Sequence, residues 1–109
     1  MRSNKYLRQQ IMHDRVMRKI RRNGLRVDTP ELREHLEWTG TQVAGLNHEY
    51  VEIWRSLLSG NDLDRIDMMV SGDGDIEGEM RNLSPLPMLL SPDERMSVLQ
   101  DAVAVEQSL

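Results

Sequence analysis

At 109 residues, with 39% hydrophobic and 4% aromatic content, the chain has room for one domain around a modest core of aliphatic residues and Met, of which there are eight. The absence of Cys excludes disulfides, thiolate metal sites and a Cys nucleophile. The net charge of −4 combines two opposed parts: residues 1–27 carry nine Lys and Arg against one acid, or +8, and the rest carries five against 17, or −12.

The N-terminal stretch is Arg-rich, but no apolar run of signal-peptide type follows it and no apolar stretch of about 18 residues occurs, so a soluble, cytoplasmic protein with no membrane span is expected. Ser3 can cap a first helix running to about Asn23, with Gly24 free to close it in the left-handed conformation. Tyr6, Gln9, His13, Val16, Met17 and Ile20 share one side at helical spacing, with Met12 at its edge, and form the core-facing candidate. Arg8, Arg15, Arg18, Lys19 and Arg22 gather on the opposite side, with Leu7 and Ile11 at its margin. Aliphatic side chains amid guanidinium groups make this second face a contact candidate. The competing reading is that the helix lies across its own acidic body.

Leu25-Arg26-Val27 reads as a short extended link, followed by a helix start in which Asp28 or Thr29 caps and Pro30 takes the first turn. This helix should bury Leu32 and Leu36 and end at Trp38-Thr39-Gly40. Thr41 is then expected to cap the central helix of the fold, running to about Ser59 and closed by Gly60. Its apolar arc holds Val43, Leu46, Tyr50, Val51, Ile53, Trp54, Leu57 and Leu58. Asp62 can cap a fourth helix carrying Leu63, Ile66, Met69 and Val70. Ser71 to Asp75 reads as an acidic loop, and Gly78 to Pro92 as an apolar link punctuated by Pro85, Pro87 and Pro92. Ser91-Pro92-Asp93-Glu94 opens the last helix with a capping box, and Met96, Leu99, Ala102 and Val103 make its narrow stripe.

The expected fold is all-α: a small bundle of four or five short helices around the amphipathic helix at about 41–59, with the basic N-terminal helix partly separate. A single domain, 1–109, would comprise that basic helix (1–24), a helical core (28–71), an acidic loop and Pro-rich link (72–91) and a C-terminal helix (92–107).

Chemical motifs are sparse. The second and third helices resemble a helix-turn-helix in outline, but the would-be reading helix exposes Glu49 and Glu52, which phosphates would repel. Asp73-Gly74-Asp75-Ile76-Glu77-Gly78 opens like a calcium loop yet places Ser84 where the bidentate Glu is required, so no metal is assigned. His13, His35 and His48 fall on three different helices. With no nucleophile, base and pocket pattern, neither a catalytic residue nor a cofactor is assigned, and no enzyme is expected.

The functional expectation is therefore a non-enzymatic regulator or inhibitor that binds a larger protein machine, nucleic-acid-processing machines being among the candidates, as an effector at a host–virus interface would. Its partner-binding residues would be Leu7, Arg8, Ile11, Arg15, Arg18, Lys19 and Arg22. The alternative is a DNA- or RNA-binding transcription or replication accessory factor, in which the same basic helix contacts phosphates directly. A second candidate, Pro85-Leu86-Pro87-Met88, has the composition of a recognition or switch segment open to a prolyl isomerase.

Overall fold

The computed structural model describes residues 4–43, 45 and 47–108. Ser3, the expected first cap, and Leu46, expected in the central apolar arc, lie outside them. Among the described residues the fold is all-helical: α1 (Asn4–Asn23), α2 (Pro30–Gln42), α3 (Asn47–Gly60), α4 (Leu63–Ser71), α5 (Asp75–Asn82), a 3₁₀ turn (Leu86–Leu89) and α6 (Pro92–Gln107).

The punctuation residues account for most boundaries. Gly24 takes φ +62°, and the Leu25 amide returns to the Ile20 carbonyl at 2.9 Å, closing α1. Thr29, rather than Asp28, caps α2, with Pro30 behind it. Asp62 caps α4 through the Arg65 amide. At α6 the capping box is complete: Ser91 Oγ accepts from the Glu94 amide at 3.1 Å, and Glu94 Oε1 accepts from the Ser91 amide at 2.8 Å.

The boundary between α2 and α3 differs from expectation. Gly40 does not end α2, and Thr41 does not cap α3. The Thr39 and Thr41 hydroxyls instead donate back to the carbonyls of His35 and Trp38, at 3.0 and 2.6 Å, and the helix runs on to Gln42. The left-handed residue that turns the chain is Gly45, at φ +66°. Likewise Asn61, at φ +47°, closes α3 one residue later than expected, and its side-chain oxygen accepts from the Val27 amide at 2.9 Å, tying the α1–α2 link to the α3–α4 turn.

The largest correction concerns α1. It is not partly separate: it packs against α4, α5, the 3₁₀ turn and α6, while α3 packs against α2 and α5. His13, Val16, Met17 and Ile20 are buried, as the periodicity predicts. The centre of the molecule is thus shared between α1 and the α3 indole of Trp54, which is fully buried and donates to the Met80 carbonyl at 2.7 Å.

Residues 72–91 are not an open loop and link. Asp75 to Asn82 is helical, with Asp75 and Glu77 in the first turn where the helix dipole favours acids. Gly78 allows α5 to approach α1, because a Cβ there would lie 3.1 Å from the Tyr6 ring. Beyond it Leu83, Pro85, Leu86 and Leu90 are buried. The prolines shape a wall of the core, and freeing Pro85 to Met88 as a switch would extract Leu86 from that core.

Candidate partner-binding groove

α6 runs antiparallel to α1, since later residues of α1 meet earlier residues of α6. Arg15 pairs with Asp101 and reaches the Ser97 hydroxyl at 3.5 Å. One turn on, Lys19 Nζ donates to Glu94 Oε1 at 2.6 Å and to the Leu89 carbonyl at 2.7 Å. Glu94 serves both the capping box and this ion pair. The Lys19 ammonium and then the Ser91 amide hold its carboxyl well below the usual range, at about 2, so the pair stays charged at neutral pH.

Along this seam lies a groove of about 340 Å³. Buried Leu90 contributes its apolar wall, and Ser97 and Asn23 add polar groups. Arg15, Arg18, Lys19 and Arg22 bring four positive charges to it against the single carboxylate of Glu94. Arg18 is 67% exposed and makes a 3.1 Å ion pair with Asp14 on its own helix, a contact worth a few tenths of a kcal/mol. Arg22 is exposed and makes no ion pair or hydrogen bond with the described residues.

The sequence-assigned surface therefore divides. Arg15, Arg18, Lys19 and Arg22 come together around one groove. Ile11 is partly buried and packs against the core, and Leu7 is half-buried. Arg8 is exposed but does not line the groove. Arg21, on the other flank, is held by Asp64 and Asp67 of α4 at 3.0 and 3.4 Å. Self-pairing with the acidic body, the competing reading of the basic helix, accounts for Arg15, Lys19 and Arg21. It leaves Arg18 and Arg22 facing solvent.

No family model, curated protein or solved structure matches this chain. The groove is read from its own chemistry.

A residue without sequence signal dominates the other flank of α1. Arg81 of α5 is only 2% exposed. Its Nη1 donates to the carbonyls of Val70 and Gly72 at 2.7 and 2.6 Å, capping the C-terminus of α4, and its guanidinium lies 4.8 Å from the centroid of the Tyr6 ring. Its place in an apparently loop-like acidic stretch concealed it. The one clue is that it adjoins Met80 near Leu83, which mark a buried turn. His13 sits in the same corner. Its Nδ1 bonds the Gln9 carbonyl at 2.8 Å, and burial, reinforced by the charge of Arg81, lowers its pKa to about 4, leaving it neutral.

The remaining motifs do not assemble into sites. His35 lies against Trp38, with ring centroids 5.9 Å apart, and His48 bonds the Val43 carbonyl, so the three His stay apart. Asp73 of the calcium-like loop is tied to α1, accepting from Tyr6 Oη through its carbonyl and from Gln10 through its carboxylate. Among the described residues no three His, Cys, Asp or Glu are grouped to hold a metal ion. On α3, Arg55 is engaged by Glu37 and Glu52, which leaves that helix an acidic outer face. No helix among the described residues is long and apolar enough to cross a membrane.

Proposed function

We propose that this protein is a small non-enzymatic regulator that docks onto a larger protein, and that its docking site is the basic groove between α1 and α6. The observation that carries the reading is the convergence of four cations on one concave site beside the apolar Leu90, with Arg22 uncommitted and Arg18 only locally paired. Such a site favours a partner segment that presents carboxylates near a small apolar side chain, because Arg forms charge-assisted bonds to carboxylates while its stem packs on apolar surface. Direct phosphate contact is the weaker reading: three of the α1 cations, Arg15, Lys19 and Arg21, are engaged by acids of α4 and α6, and the α2–α3 unit is acidic outside.

The test is affinity capture with the Arg18→Glu, Arg22→Glu double variant beside the wild type, at low and high salt and with nuclease. Both positions are exposed, so the variant should keep the wild-type circular dichroism. Nuclease-resistant recovery of a defined complex by the wild type, lost in the variant, supports protein docking. Recovery that nuclease removes supports the nucleic-acid alternative. Equal recovery by both proteins removes the groove from either role.

A further inference from the structure

α6 carries apolar residues on both of its sides. Val98 and Ala102 are buried against the body, whereas Met96, Leu99 and Val103 are 55%, 37% and 50% exposed. Projected at about 100° per residue, these three fall within about 60° of one another and form a second stripe. Arg95 and Glu106 lie along one edge of it, about three turns apart.

Two features of those charges are unexplained by the monomer. Glu106 stands in the last turn of α6, where the helix dipole disfavours an acid, and its carboxylate has no hydrogen bond or ion pair with the described residues. Arg95 spends only its Nε, on the Leu90 carbonyl at 3.1 Å. Arg95 is exposed and Glu106 half-buried, and neither charged end is committed to an opposite charge among the described residues.

We infer that this outer face of α6 pairs with the same face of a second copy of this chain, antiparallel and about a twofold axis near Gln100 and Asp101. A twofold axis across two antiparallel helices brings like edges together, so a residue before the axis meets one equally far beyond it. The axis lies midway between Arg95 and Glu106, so each Arg95 meets the partner's Glu106. The same axis interleaves Met96, Leu99 and Val103 with their copies. Across the opposite edge Gln100 faces its own copy and Asp93 falls near the partner's Gln107, so no like charges are opposed. The stripe is small, at the low end of specific interfaces, and the pair is correspondingly weak, with a Kd on the order of 10–100 μM. Ser97 and Glu94, which line the basic groove, lie on the other side of α6, so pairing leaves that groove open.

Sedimentation equilibrium of the full chain from about 5 to about 500 μM tests this on the scale of such weak interfaces. The expected mass rises from 12.7 kDa toward twice that value. Leu99→Asp should remain monomeric throughout, with unchanged circular dichroism. Arg95→Glu and Glu106→Arg should each weaken association about threefold or more, the scale of a rim ion pair becoming a like-charge pair. The double exchange should restore it. Neither exchange opposes the helix dipole, so loss of helix does not mimic the effect. A wild type monomeric at the highest concentration, assembly beyond a dimer, or undiminished association of Leu99→Asp overturns the proposal. Single exchanges without effect, or a double exchange that fails to restore, overturn it equally.

Discussion

The two flanks of α1 are both polar, yet they hold the fold in opposite ways. Toward α6 the contacts are ion pairs with side chains between about a quarter and a half exposed, Arg15 with Asp101 and Lys19 with Glu94. Toward α4 and α5, beside the exposed Arg21 pairs, lies a buried polar corner: His13 and Arg81 are each 2% exposed, and Arg81 meets carbonyls and a ring instead of a carboxylate. Water screens the first flank, so its charges add little stability and remain usable by a partner. In the buried corner of the second flank each polar group must find its partner inside the fold or impose a desolvation cost, and His13 Nε2 and Arg81 Nε and Nη2 find none among the described residues.

The sharpest way to break this comparison is Arg81→Ala. It strips the Val70 and Gly72 carbonyls of their donor, removes the stack on Tyr6 and leaves a void, and should lower stability by about 3 kcal/mol or more in urea denaturation. A loss under about 1 kcal/mol would place the buried corner on a par with the exposed seam.

The next effect is read through pH. His13 is neutral in the fold with a pKa of about 4, against 6.5 for the free side chain. Between those values the unfolded chain binds the proton and the folded chain does not, so stability present above pH 6.5 is lost as pH falls through the folded value. Acidification from pH 7 to pH 4.5 should therefore cost the wild type on the order of 2–3 kcal/mol, and His13→Gln should flatten that slope. Below about pH 4.5 a further loss follows from Glu94, whose depressed pKa of about 2 makes its contribution present above the ordinary carboxylate range and lost as pH falls toward 2. Lys19→Met should shrink this low-pH component, leaving the part due to the Ser91 amide.

The smallest effect belongs to the seam itself. Asp101→Asn and Arg15→Gln should each change stability by less than about 1 kcal/mol, with a double-mutant coupling of a few tenths. A coupling above about 2 kcal/mol would show that the seam, and not the buried corner, orders α1.

Legibility followed range. The buried side of α1 was readable because His13, Val16, Met17 and Ile20 recur at helical spacing. The caps Thr29, Asp62 and Ser91 were readable because each acts on an amide three residues away. At the groove, charge patterning indicated Arg15, Arg18, Lys19 and Arg22, but not which of them α6 would neutralise. Ile11 was misread as outward because a helical projection identifies faces without saying how many neighbours cover them. α5 and Arg81 were missed because three glycines within seven residues suppress any local helix signal, and the contacts of Met80 with Trp54 and of Gly78 with Tyr6 supply what propensity lacks.

By itself the sequence determined the helical class, the opposed charges of its two parts, the buried stripe of α1 and the capped starts of α2, α4 and α6, because each depends on interactions a few residues long. The tertiary structure alone decided that α1 is central, that the Pro-rich segment is a core wall, and that Arg18 and Arg22 are the two of the four groove cations that α6 leaves to solvent. Those outcomes depend on pairings such as Arg15 with Asp101 and Lys19 with Glu94, where chain positions some 75 to 86 residues apart compete for the same charges. No local pattern records which of them meet.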